Sequence, residues 1–157
     1  MGLGFSRQVQ EMTRPQQADM ESTNERFSAY FPRLFAYVRS CVGGDMPAQD
    51  IVVDAFTRAF SKAGSSSEES FRAVLFRTAR RLCRPALEGD GSSRDDPLSP
   101  REREIISLVF DAGLTREQIA RMFRMREATV SSALLTGLRK LKEQTSPAVA
   151  AAYLRLA

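Results

Sequence analysis

Four arginines fall within eight residues of the chain: Arg77, Arg80, Arg81 and Arg84, at the end of "SFRAVLFRTARRLCR". At about 100° per residue, a helix here sets Phe71, Leu75, Thr78 and Leu82 on one side. Arg77, Arg80 and Arg84 fall opposite, with Arg81 nearby. Like charges at helical spacing repel, and a docked polyanion would relieve that repulsion. A solvated arginine face is the plainer reading of the same pattern. A second cluster lies downstream in "LTREQIARMFRMREATVSSALLTGLRKL", which has the layout of two amphipathic helices joined by a tight break. A helix-turn-helix reads bases from the first turns of its second helix. Here those turns, Ala128 to Thr136, contain no Lys or Arg.

Other chemistries are excluded by what is missing. The chain has no His and only two Cys, Cys41 and Cys83. Neither a tetrahedral zinc site nor a His-based triad can be built from that set. There is also no glycine-rich phosphate loop. The expectation is no catalytic residue, no metal, no cofactor and no enzyme activity. Both cysteines sit among apolar residues of expected helices and read as small core residues in a reducing compartment. Net charge is +4 with a pI of about 9.5, which suits a polyanionic partner through counterion release. No apolar run approaches the ~20 residues of a membrane span, and the N-terminus lacks the apolar middle of a secretory signal. The expected location is the cytoplasm, without membrane insertion.

The positioning elements are all helical. Residues 1–24 are polar and read as a loosely ordered extension. In "RFSAYFPRLFAYVRSCV", Phe27, Tyr30, Phe31, Leu34, Phe35 and Val38 mark one helix face, with Pro32 expected to kink it or shift its start. A second helix begins near Pro47, with Val52, Ala55, Phe56, Ala59 and Phe60 as its stripe. "SKAGSSSEES" is a Ser-rich loop that tolerates mobility, and the arginine helix follows. "LEGDGSSRDDP" is an acidic linker, which sets a domain boundary at residues 88–97 between blocks 25–87 and 98–144. Ser99, Pro100 and Glu102 predict a capping box, with the helix ending at Gly113; Thr115 and Gln118 predict another. A last helix runs from Glu127 to about Glu143. Residues 145–157 could add a short helix. The fold class is all-α, in two small domains.

Both blocks resemble one family in the same order, the small extracytoplasmic-function sigma factors of bacterial RNA polymerase. "YFPRLFAYVR", "AQDIVVDAF" and "SFRAVLFRTARRLC" are similar to three successive helices of its first domain. "LSPREREIISLVFDAGLTREQIARMFRMREATVSSAL" is similar to its helix-turn-helix domain. The resemblance implies core RNA polymerase, promoter DNA and an anti-sigma factor as partners. It places Asp50, Ile51, Val53 and Asp54 on the polymerase. It places Arg72, Arg77, Arg80, Arg81 and Arg84 on the melted minus-ten strand, with base choice in the loop from Lys62 to Ser70. It places Arg124, Arg126, Glu127, Thr129, Ser131 and Ser132 on duplex DNA.

The departures are specific. The family's usual Trp is Val74 and its Asn is Arg81. Basic positions of the recognition helix become Ser131, Ala133, Thr136 and Leu138, and the Gly of the turn becomes Arg124. Two further readings stay open: a sigma-like interaction protein without productive promoter reading, and a regulator with a LuxR-type DNA-binding domain.

Overall fold

The computed structural model describes residues 5–89 and 96–144, with side chains described for 17–86 and 96–144. Among these residues the chain forms six helices and no strand: α1 (Phe5–Val42), α2 (Asp45–Ala63), α3 (Glu68–Gly89), α4 (Pro100–Phe110), α5 (Arg116–Phe123) and α6 (Glu127–Gln144). The expected C-terminal helix and most of the linker lie outside the described residues.

α1 is longer than the sequence pattern implies. Its helical run reaches back to Phe5, through much of the segment read as loosely ordered. Residues 17–24 are nevertheless exposed, so packing on this bundle does not explain that stretch. The helix also continues through Pro32, whose side chain faces solvent. From Tyr30 onward α1 buries Tyr30, Leu34, Tyr37 and Val38 against α2 and α3. α2 contributes Ala48, Val52, Ala55, Phe56, Ala59 and Ala63, and α3 contributes Phe71, Leu75, Phe76, Ala79 and Cys83. Each fully buried large apolar side chain among these stabilises by about 1.5–3 kcal/mol. The small α2 residues allow close helix approach, and rings fill the remaining space: Phe27–Phe56 and Phe60–Phe71 both lie at 4.8 Å.

The connection between α2 and α3 is strapped down. Arg26 donates from Nη1 to the Gly64 carbonyl (2.8 Å), from Nη2 to the Ser66 carbonyl (2.8 Å) and from Nε to Glu68 (2.7 Å). Its guanidinium also lies 4.8 Å from the Phe71 ring centroid. Tyr30 donates to the other oxygen of Glu68 (2.9 Å). Partial burial works to raise the Glu68 pKa, but the Arg26 and Tyr30 hydrogen bonds outweigh it and hold the carboxyl below its usual range. A Ser-rich loop expected to be mobile is thus held from outside its own sequence.

In the C-terminal half both capping boxes form. Ser99 and Glu102 satisfy the start of α4, and Thr115 and Gln118 that of α5. α4 stops at Phe110, three residues before Gly113, because Asp111 and Ala112 both donate to the Ser107 carbonyl; Gly113 then takes the left-handed turn at φ +68°. α6 crosses α4 closely at Gly137, where a Cβ would stand 2.7 Å from Ile106 Cδ1. Lys140 reaches back to both Glu102 oxygens (3.1 and 2.9 Å).

The two halves meet along a seam. Glu104 of α4, buried, accepts from Arg80 Nε of α3 (2.6 Å) and from the Tyr37 hydroxyl of α1 (3.2 Å). Ser40 donates to Ser107 (2.9 Å), and the Arg80 guanidinium stacks 4.6 Å from the Phe123 ring centroid of α5.

Candidate nucleic-acid interface

The arginines of α3 do not form one uniform face. Arg77 is exposed, yet its Nε donates to the Met122 carbonyl of α5 (2.7 Å). Arg80 is half-buried in the seam. Burial alone would lower its pKa, but the hydrogen bond and charge of Glu104 prevail and raise it, so the guanidinium is held as a cation. The arginine helix therefore has its acidic partner, supplied by α4 rather than by α3. Arg81 and Arg84 remain exposed, and among the described residues no hydrogen bond or ion pair engages them. Arg72 sits half-buried near Tyr30 and Glu68, on the strapped side of the helix.

A cleft of about 370 Å³ opens between α3 and the turn after α5. It is lined by Arg77, Arg80, Arg81, Arg84, Met122, Phe123 and Arg124. Arg124 is the unexpected member. It caps α5 in the left-handed region at φ 53°, where glycine is normally favoured. A non-glycine residue there costs about 1–2 kcal/mol. With Arg124 the cleft is lined by five arginines, four of them from α3. Neighbouring it, a second cleft of about 340 Å³ runs between Glu69, Arg72, Arg77 and Arg121.

The helix-turn-helix itself presents Arg126, Glu127 and Ser132 outward, with Thr129 and Ser131 half-buried. Ser131 is already engaged, since its hydroxyl accepts from Arg116 (3.1 Å). Arg121, just before the turn, bridges Glu69 (2.9 Å) and Glu117 (2.6 Å) on the surface. Lys140 is turned inward to Glu102, which leaves Arg139 and Lys142 as the exposed cations of the last turns. On α2, Asp50 and Val53 point outward; Val53 is 58% exposed, unusual for a large aliphatic side chain. Ile51 is half-buried, and Asp54 is half-buried and paired with Arg58 (3.0 Å).

Two family comparisons cover both halves of this architecture. The pattern described as Sigma-70 region 2 matches residues 26–91, and that described as Sigma-70, region 4 matches residues 96–143. The chain belongs to the sigma-70 family. Among curated proteins no match is found. Region 2 thus comprises α1 from residue 26 through α3, region 4 comprises α4 to α6, and the seam joins the two regions. Sigma-70 regions 2 and 4 support a role in RNA polymerase binding and promoter recognition, and such families are non-enzymatic initiation factors. No helix among the described residues is long and apolar enough to cross a membrane.

Sequence reasoning missed Glu104, Tyr37 and Arg116. A signal existed for Glu104: it stands one turn before Leu108 and beside Ile105, on the buried face of α4, where a carboxylate requires a partner. Which cation would meet it was not legible, because Arg80 is 24 residues away.

Proposed function

We propose that this sigma-70 chain is a small alternative sigma factor of the extracytoplasmic-function type. It binds core RNA polymerase in the bacterial cytoplasm, confers promoter choice and has no enzymatic activity of its own. The observation that carries the reading is the pairing of region 2 and region 4 matches with an Arg81–Arg84 surface on α3 that no hydrogen bond or ion pair engages among the described residues. Single-stranded nucleic acid is held by cationic grooves that track its backbone, and Arg81 and Arg84 serve that role here. Exposed Val53 beside Asp50 on α2 supports docking on polymerase through an apolar contact with an acidic rim. Arg124 and Arg126 grip duplex phosphates. Glu127, Thr129 and Ser132 face the groove, with few bidentate contacts, so base discrimination by region 4 is weak; each missing bidentate pair forfeits about 1–3 kcal/mol. An anti-sigma factor is the expected regulator.

Arg80 is reassigned as a seam residue that positions region 4, with strand contact left to its neighbours. The test is the double variant Arg81→Ala/Arg84→Ala in a promoter-melting assay with reconstituted holoenzyme. Melting should be lost while core binding is kept. Melting that survives would remove this face from promoter contact.

A second reading is favoured by one observation. The seam engages Arg77 and Arg80, and Ser131 is bonded to Arg116, so part of each DNA-facing surface is already occupied. A sigma-like interaction protein that binds polymerase or an anti-sigma factor without promoter reading would show core binding and no melting even in the unsubstituted chain.

A further inference from the structure

The chain has two cysteines, and each is the other's side-chain partner. Contacts between α1 and α3 climb both helices together: Arg26 with Glu68 at 2.7 Å, Tyr30 with Phe71 at 6.0 Å between rings, and Tyr37 with Phe76 at 6.3 Å. The two helices therefore run parallel. Partners lie 42 residues apart at Arg26–Glu68, 41 at Tyr30–Phe71 and 39 at Tyr37–Phe76, and the 42 residues between Cys41 of α1 and Cys83 of α3 fall within that span. Both are free thiols in one hydrophobic cluster, Cys83 fully buried and Cys41 half-buried. Their surroundings belong to the seam. Ser40, beside Cys41, bonds Ser107, while Tyr37 and Arg80, each about one turn before a cysteine, converge on Glu104.

We propose that Cys41 and Cys83 form a redox pair, oxidised by a hydroperoxide to an intramolecular disulfide that staples α1 to α3 beneath the region 2–region 4 seam. The proposal stands apart from promoter binding, since it gives no role to Arg81 or Arg84.

The chemistry follows from the asymmetry of the two thiols. A hydrogen bond from Cys83 lowers the Cys41 pKa, against the opposing pull of burial and of Glu104. Cys83 is pushed up by the same bond and by burial. Cys41, the more accessible and the more readily ionised, is the attacking sulfur. Its thiolate attacks one peroxide oxygen and the O–O bond breaks. The thiolate is oxidised to a sulfenic acid, and the departing alkoxide or hydroxide takes a proton from solvent. The Cys83 thiol then attacks the sulfenic sulfur, forming the S–S bond and expelling water. In sum, two thiols and one hydroperoxide give one disulfide, one alcohol (water, for hydrogen peroxide) and one water. A thiol reductant reverses it by exchange.

The test treats the reduced full-length chain with hydrogen peroxide, removes the excess, and titrates thiols in denaturant. Two thiols per chain should fall to none and return with dithiothreitol. Intact mass should drop by two hydrogen atoms, the chain should stay monomeric on a non-reducing gel, and the oxidised form should unfold at higher urea. Cys83→Ser should stop at a sulfenic acid on Cys41 that dimedone traps. Retention of both thiols, a disulfide-linked dimer, or a Cys41→Ser variant whose Cys83 oxidises as fast as in the parent would each overturn the proposal. The unsubstituted chain carries the main readout, so variant misfolding does not affect it.

Discussion

Replacing Glu104 by alanine tests the seam at its centre. The Glu104 side chain is 9% exposed and that of Arg80 31%. Removing one member of a buried pair costs about 3–5 kcal/mol, because the other charge stays buried alone. Arg80 is close to one-third exposed, so water recovers part of that loss and the ion-pair share falls to roughly 2 kcal/mol. The Tyr37 hydroxyl also loses its acceptor inside the core, at about 1–3 kcal/mol. The two losses share one carboxylate and do not simply add, so Glu104→Ala should cost about 3 kcal/mol. For a chain of this size that is roughly 6–12 °C in melting temperature. Urea unfolding of Glu104→Ala, Arg80→Ala and the double variant gives the coupling energy directly, expected at about 1–2 kcal/mol. A Glu104→Ala cost under about 0.5 kcal/mol with no coupling to Arg80 would mean that the regions do not pack this way in solution, and the reassignment of Arg80 would fall with it.

Arg124→Gly should relieve the left-handed cap and stabilise the chain by about 1 kcal/mol in urea, while weakening duplex binding; unchanged or lower stability would show that the arginine is not strained there. The Glu102 carboxyl is held below its usual range, first by its hydrogen bond to Lys140 and then by the Ser99 N–H. Its contribution to stability is therefore present above the ordinary carboxylate value and lost as pH falls through the lowered folded value. Lys140→Ala should flatten stability-against-pH curves in that acid window, and an unchanged slope would count against the pair. Arg81→Ala should reduce the salt dependence of single-strand binding by about 0.7 in log–log slope, with no change expected for Arg26→Ala at matched folding.

Helix order, both capping boxes and the buried stripe of α2 were legible because each depends on neighbours within a few turns. Ser99 with Glu102 and Thr115 with Gln118 need only three residues of context. The early stop of α4 was missed by three residues because Gly113 ends the turn after the helix and not the helix itself. What the sequence could not show was long-range pairing. Arg80 looked like surface charge until Glu104 was placed against it, and the Ser-rich loop looked mobile until Arg26 was seen to hold it. The same limit made Cys41 and Cys83 read as isolated core residues. Only the parallel packing of α1 and α3 brings them together. Arg124 was visible as a departure from glycine, but its place in one cleft with the α3 arginines required the fold.

The most direct measurement is transcription by core RNA polymerase reconstituted with the full-length chain on a genomic promoter library, with sequencing of transcript starts. The account predicts stable core binding and defined start sites. Their upstream sequences should share a conserved minus-ten element and a weakly specified element for region 4. Core binding without starts would contradict promoter-directed initiation and favour the interaction-protein reading. Failure to bind core at all would remove RNA polymerase as the partner.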